Sequence, residues 1–463
     1  MAHSNISRPR SSAVRPARRY FPDPVERAAG TRTKPPLWTL LRDPPLTTLA
    51  WHMNAMTRSA SRLAFGMIVG DSGGGKGMPE VATDRRPVAA RLAVATLFLV
   101  NGASFASVVP RYPELKDALS LSNAALGTAI ATLALGSLVA GLLAGPILAR
   151  WRSASVAVGC SVLLAADLVL IGLAAQWWQL AAALFFAGAL DAVVDVAMNA
   201  HGLRVQRRYG RSIVNSFHGM WSFGAIIGGL AGSLAAGAAL PLPVHLGGAA
   251  VVLSAVAITS TRFLLPGHDD AERERRPRAR PRFTLLLALL ALGLLCAAAA
   301  VVEDTAASWG AVYMRDSLGA APVLAGLVFV ALQAAQTVGR FSGDRLVDRF
   351  GNRAVARIGG IAVLVGVGAA LVWPSIPMTL VGFAVAGWGV ATIIPAGFHA
   401  ADELPCLSSG AGIAVVSWVY RLGVLAVPPV VGLLADAVSL RVGLVIVPVA
   451  GGLIVLLASR LPR

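Results

Sequence analysis

Two carboxylates, Asp191 and Asp195, sit in the stretch AGALDAVVDVAMNAHG at residues 187–202, which otherwise has the composition of a membrane-spanning helix. Facing lipid, each would cost roughly 2.5–3.5 kcal/mol near a helix centre, so both must face protein or a polar cavity. One helical turn apart, they share a face. Taking a carboxylate out of water disfavours its charged form, which a side chain that loads and releases protons requires. That role is assigned to Asp191, about two-thirds of the way across from the outer side at a rise of about 1.5 Å per residue. Asp195 is a second candidate nearer the cytoplasmic end, and the competing reading is a structural acid paired with His218 or a loop arginine. His218 is a candidate proton relay because imidazole changes charge at physiological pH. Asn199 and His201 lie at the same level, Asn199 as part of a cytoplasmic gate and His201 more simply as a packing group.

Further polar groups interrupt other apolar runs. Arg421 follows Tyr420 in SWVYRLGVLAVPP, too deep to snorkel, and reads as a counter-ion for an acid or a fork for substrate oxygens. Asn101, Gln333 and Gln336 suit hydrogen bonding to a polyol, or ordinary helix packing. Glu303 and Asp304, toward the outer end of the seventh span, read as an outer gate or proton entrance, or as a solvated helix end.

Positioning these groups takes a bundle of membrane helices. The chain is 56% hydrophobic and only 14% charged, far more apolar than a soluble globular protein. Runs of helix-spanning length recur at about 88–110, 122–148, 154–175, 177–200, 212–238, 243–265, 283–309, 321–342, 354–374, 377–399, 409–434 and 438–459. Much of the net charge of +17 is loop charge, and every second loop is basic, at Arg85 and Arg86, at Arg150 and Arg152, and at Arg204, Arg207, Arg208 and Arg211. Loops 176–179 and 240–245 between them carry almost none, which places the basic loops and both termini in the cytoplasm of a bacterial inner membrane. That placement argues against nucleic acid as the partner of the charge and for the lipid bilayer. Cys160, Cys296 and Cys406 are odd in number and scattered, so neither a disulfide framework nor a metal site is implied. No nucleotide-binding Gly-x-x-x-x-Gly-Lys-Ser/Thr run occurs, so an ion gradient is the expected energy source, and no cofactor is implied. Nor do the histidines show the nucleophile–base or metal spacing of an enzyme.

Residues 1–87 read as a basic, disordered tail rather than a signal peptide, with Met78 in GGGKGMPEVATDRRP as an alternative start. A six-span unit at 88–265, a hydrophilic cytoplasmic linker at 266–282 and a second six-span unit at 283–463 follow. An offset of about 200 residues aligns Gly127 with Gly326, Arg150 with Arg349, Gly188 with Gly387 and Gly224 with Gly423. Paired six-helix halves are the pattern of a secondary transporter that rocks about a midplane site.

The loop GRFSGDRLVDRFGNR at 339–353 resembles the signature of the major facilitator superfamily, with Asp348, Arg349, Gly351 and Arg353 matching and Asp344 where a Gly usually stands. The resemblance implies a cytoplasmic latch of Asp344, Asp348 and Arg349 that holds the outward-open state. The corresponding GPILARWRS at 145–153 has Ala149 in place of the acid, which leaves it only orienting charge. GAIIGGLAG at 224–232 has the small residues of close helix packing. It also resembles the family's antiporter motif, with Ala225 for its proline, a departure that favours import. DAVVDVAMNAHG, GRSIVNSFHGMWSFG and VVEDTAASWGAVYMRDSLG together resemble the rhizopine-permease-like branch, near the fucose-permease-like transporters, over about residues 90–460. The expectation is an all-α fold of twelve transmembrane helices in two pseudo-repeats, a monomer moving a small sugar- or inositol-like solute with protons. A proton-driven exporter and a non-transporting receptor are the alternatives.

Overall fold

The computed structural model describes residues 85–210, 213–267, 283–404 and 411–461. The expectations for the basic tail before residue 85 and for most of the linker fall outside them. A chain in hydrocarbon must satisfy its backbone within each segment, and an apolar run can do so only as a helix. Among the described residues, twelve helices are long and apolar enough to cross a membrane: α1 Pro87–Ala118, α2 Asn123–Arg150, α3 Ser153–Leu173, α4 Trp177–Tyr209, α5 Ser216–Gly237, α6 Leu242–Phe263, α7 Leu285–Ser317, α8 Pro322–Gly343, α9 Asn352–Val372, α10 Ile376–Asp402, α11 Val415–Ala437 and α12 Leu440–Arg460.

Two of these helices outrun the ends that hydropathy places at 110 and 309. Arg111 stops the apolar run of α1, yet the chain turns through a 3-10 segment, Val109–Arg111, into the helical turns Tyr112–Ala118. Arg111 is fully buried because its guanidinium donates to Glu114 Oε2 and, at 2.6 Å, to the Leu240 carbonyl. Charged residues also hide the end of α7, whose last turn, Tyr313–Ser317, widens into a π-helix.

Breaks inside the helices have a local cause. A proline removes an N–H and crowds the carbonyl four residues earlier. In α10 the helix is interrupted between Val390 and Ile393, where Pro395 leaves the Ala391 carbonyl without its donor. In α12 the interruption lies between Gly443 and Ile446, and Pro448 stands four residues after Leu444.

The repeat is visible in how backbones approach. A Cβ on Gly188 of α4 would strike the Leu133 carbonyl oxygen of α2, and one on Gly387 of α10 would strike that of Leu332 in α8. Both members of the second contact follow the first at the offset of about 200 residues that relates the halves. Arg150 over Trp151 and Arg349 over Phe350 are a further repeated pair, at 5.7 Å and 5.4 Å.

The halves meet chiefly where α2 packs on α11 and α5 on α8. At the face opposite the basic loops they are joined by polar links. Lys116 Nζ lies 2.7 Å from Asp316 Oδ2. Arg315 makes a two-pronged contact with Asp117, each prong 2.9 Å. Asp436, at the end of α11, accepts from the backbone N–H groups of Asn123 and Ala124 at 3.0 Å and 2.8 Å, and so caps the start of α2. Away from these contacts the bundle turns large apolar side chains outward, such as Leu142, Val251 and Leu456, as lipid contact demands.

Candidate functional site

Small side chains bring α1, α4 and α5 close enough for one polar chain to cross them. Asn101 of α1 donates from Nδ2 to Asp191 Oδ1 at 2.7 Å and accepts at Oδ1 from Trp221 Nε1 of α5, also at 2.7 Å. An indole can only donate, so Trp221 fixes which way the Asn101 amide points, and the amide hydrogens are left for the acid. Asn101 is 3% exposed, so this amide is committed to protein rather than presented to a solute. One turn on, Asp195 Oδ1 accepts from Asn199 Nδ2 at 2.9 Å.

Opposite the acids lies the other half of the molecule. A cavity of about 240 Å³ is lined by Ser137 of α2, by Asp191 and Asp195 of α4 and by Tyr420 and Arg421 of α11, with Leu133 and Val424 as apolar walls. Arg421 donates from Nη1 to Ser137 Oγ at 2.6 Å. Its charge acts on both acids. Among the described residues it makes no direct ion pair with either, so the two signs of charge face each other across open space. A guanidinium has five N–H donors in a flat fork, and one is used here. Tyr420 is set in place by an edge-on contact with Phe398 of α10, ring centres 6.4 Å apart.

Twelve spans, an internal repeat, and opposite charges facing each other across the seam between halves describe an architecture as well as a site. The sequence pattern of the Major Facilitator Superfamily matches residues 94–302 and 290–463. The chain belongs to the Major Facilitator Superfamily. It is a multi-pass membrane transporter. Among curated relatives, an uncharacterized transporter of Sinorhizobium fredii is 30% identical, covering 80% of this chain and 97% of its own length. The membrane protein MosC of Rhizobium meliloti is 29% identical, over 79% of this chain and 88% of its own. Of solved structures, a bacterial homolog of the human lysosomal transporter Spinster, inward-facing and unoccupied, superposes with a TM-score of 0.66 at 15% identity, covering 82% of this chain and 98% of that one.

Other polar groups of this superfamily member gather on the α5–α8 side. Ser222 Oγ accepts from Gln333 Nε2 at 3.2 Å and from Arg340 Nη1 at 2.8 Å. Gln336 donates to Glu303. Gln333 and Gln336 are 2% and 0% exposed; both donate from Nε2 inside the protein, while Gln336 Oε1 is buried without a hydrogen-bond partner among the described residues. Since α7 continues to Ser317, Glu303 and Asp304 lie well inside it, which corrects their placement toward a solvated helix end. Asp304 Oδ2 accepts from Ser308 Oγ at 3.2 Å.

His218 is not drawn into the Asp195–Asn199 pair; it is exposed and meets Phe98 edge-on at 5.2 Å. His201 is buried and structural. Leu265 N–H donates to its Nε2 at 3.2 Å, so Nδ1 carries the proton and donates to Ser153 Oγ at 3.0 Å. In the signature loop, Asp348 and Arg349 are exposed on the helix that continues α8 to Phe350, and the Asp344 side chain lies outside the described residues. Arg353 donates to the Leu461 carbonyl at 2.5 Å, tying α9 to the end of α12.

Two groups escape the sequence reading. Arg340 belongs by sequence to the signature loop 339–353, yet it sits in α8 and is the cation that acts on Glu303. Asp167, in AADLVLIG of α3, has no charged neighbour at helical spacing to draw notice. A lone acid in the middle of an apolar run was the available signal.

Proposed function

We propose that the protein is a proton-coupled secondary transporter that moves a small polyhydroxylated solute, sugar- or inositol-like, by alternating access. The observation that carries this reading is the cavity held between Asp191 and Arg421 with no ion pair across it. Its volume of about 240 Å³ falls below the roughly 300–1,000 Å³ of drug-sized pockets. A hydroxyl-rich solute would accept from the Arg421 fork and donate to the carboxylates, satisfying both sides at once. Asp191, oriented by Asn101, is the proton carrier in this scheme, and Asp195 with Asn199 lies next to it on the route toward the basic face.

By the positive-inside rule the basic loops are cytoplasmic. The polar links of Lys116, Asp117, Asp436 and their partners then close the cavity to the outside, and the exposed Asp348 and Arg349 belong to a latch disengaged at the cytoplasmic side.

Purified protein is screened by thermal shift against hexoses, inositols and amphipathic drugs, since a bound ligand raises the unfolding temperature by mass action. The hit is then tested for uptake into proteoliposomes under an imposed pH gradient. The proposal expects Asp191→Asn to lose proton-driven accumulation while retaining exchange of solute for solute. Unchanged accumulation in that variant overturns the carrier role, and outward pumping driven by the gradient overturns uptake in favour of export.

A further inference from the structure

Asp167 belongs to none of the machinery above. It stands on α3 at 4% exposure, and its Oδ2 is buried with no protein hydrogen-bond partner. No charged side chain among the described residues acts on it. A carboxyl oxygen withdrawn from water needs a donor from somewhere.

What lies beside it is a second, smaller cavity of about 30 Å³ inside the N-terminal half. Its polar lining is Ser104 and Tyr112 of α1, Asp167 of α3 and Asp191 of α4, and the remaining walls are apolar, including Leu168 and Leu184. A water needs about 10–15 Å³ measured this way and two or more polar partners, so the space is sized for one or two. Asp191 is the one titratable group that lines both this cavity and the one facing Arg421. Its Oδ1 is taken by Asn101, and no protein group among the described residues bonds its Oδ2.

The rival carboxylates lie outside this cavity: Asp195 acts on Asp191 from the next turn of α4 but lines the cavity facing Arg421, and Asp304 of α7 acts on Tyr112. From α1, Tyr112 faces the cavity; α2 contributes Leu133 alone; α4 contributes Asp191. The remaining neighbour of α3, α6, places no side chain in the lining, and its His245 lies within the influence of Arg111 instead.

We infer that Asp167 is a second proton-holding site, joined to Asp191 by water in the small cavity and set apart from the solute. One proton leaves the Asp191 carboxyl for the adjoining water while that water gives one to the Asp167 carboxylate, so the pair keeps its proton without a change in total charge. Asp191 is thereby free to meet Arg421 or solute while the proton waits on α3. The inference rests on the reading of Asp191 as a proton carrier.

The test uses purified full-length protein in phosphatidylethanolamine–phosphatidylglycerol liposomes, with protons alone as the ligand, followed by infrared difference spectroscopy of the protonated-carboxyl stretch through a pH titration. Among its carboxyl signals, wild-type protein is expected to show one lost in Asp167→Asn and one lost in Asp191→Asn, titrating in two coupled steps. Asp167→Asn should remove its own signal, shift the frequency of the Asp191 signal and leave that signal a single step; Asp191→Asn should do the reverse. An Asp191 signal unmoved by Asp167→Asn, with no signal assignable to Asp167, overturns the inference and leaves the carrier reading intact. Absence of any signal lost in Asp191→Asn sinks the carrier reading instead. Should Asp167→Asn fail to fold, Asp167→Glu keeps the carboxyl and must move both signals, while Leu168→Phe, which fills the cavity, must uncouple them. Signals that respond to sodium at fixed pH overturn the proton assignment and make the pair a cation site.

Discussion

Asp191 owes its position to a residue that carries no charge. Trp221 sets the Asn101 amide, and the amide sets the acid. A hydrogen bond to a charged group contributes about 1.5–3 kcal/mol, so Asn101→Leu should weaken proton-driven uptake roughly 10- to 100-fold with the cavity residues untouched. Trp221→Phe removes only the orienting donor and should give a smaller loss in the same direction, measured as initial uptake rates. Arg421 invites a different substitution. Lysine keeps the charge and loses the fork, so Arg421→Lys should abolish the ligand-induced thermal shift while the unliganded unfolding temperature changes little. The importance of Asp191 and Arg421 is readable from a single line of sequence, because a charge inside an apolar run is costly wherever it occurs. The commitment of Asn101 is not readable, since its partners lie 90 and 120 positions away and only the packing of three helices brings them together.

At the scale of helices, the close approaches of α4 on α2 and of α10 on α8 depend on glycine. The Cβ of any other residue at Gly188 or Gly387 would meet a main-chain carbonyl, and a carbonyl in a helix cannot swing aside as a side chain can. Gly188→Val and Gly387→Val should therefore each destabilise by about 1–3 kcal/mol or more, read from thermal unfolding in detergent, and equally in the two halves. Twelve spans were legible because hydrocarbon permits only helices of that length. The ends of α1 and α7 were not. Arg111 looks like the edge of a membrane segment, and only the fold shows Glu114 and the Leu240 carbonyl waiting for it. The breaks in α10 and α12 were legible in principle from Pro395 and Pro448, but proline in a membrane helix is often absorbed by neighbours, so its effect is decided by packing.

For the whole molecule, the links at the face opposite the basic loops form a clamp in which each half offers one acid and one base. Lys116 reaches Asp316, and Arg315 reaches Asp117. Reversing one side, with Lys116→Glu, places like charges together and should open this face. Spin labels on Leu119 and Leu318 would report a longer distance, and adding Asp316→Lys should restore the shorter one. The sequence offers these four residues only as unremarkable loop charges, although the internal repeat that brings the two helix ends together is itself legible. Asp436 adds a consequence of another kind. It belongs to one half, yet it completes the first turn of a helix in the other. When the halves part at this face, the Asn123 and Ala124 amides must change partner from carboxylate to water. Their deuterium uptake is thus a built-in clock for the transport cycle, slow while the face is shut and fast while it is open, and it can be read by mass spectrometry without attaching any label.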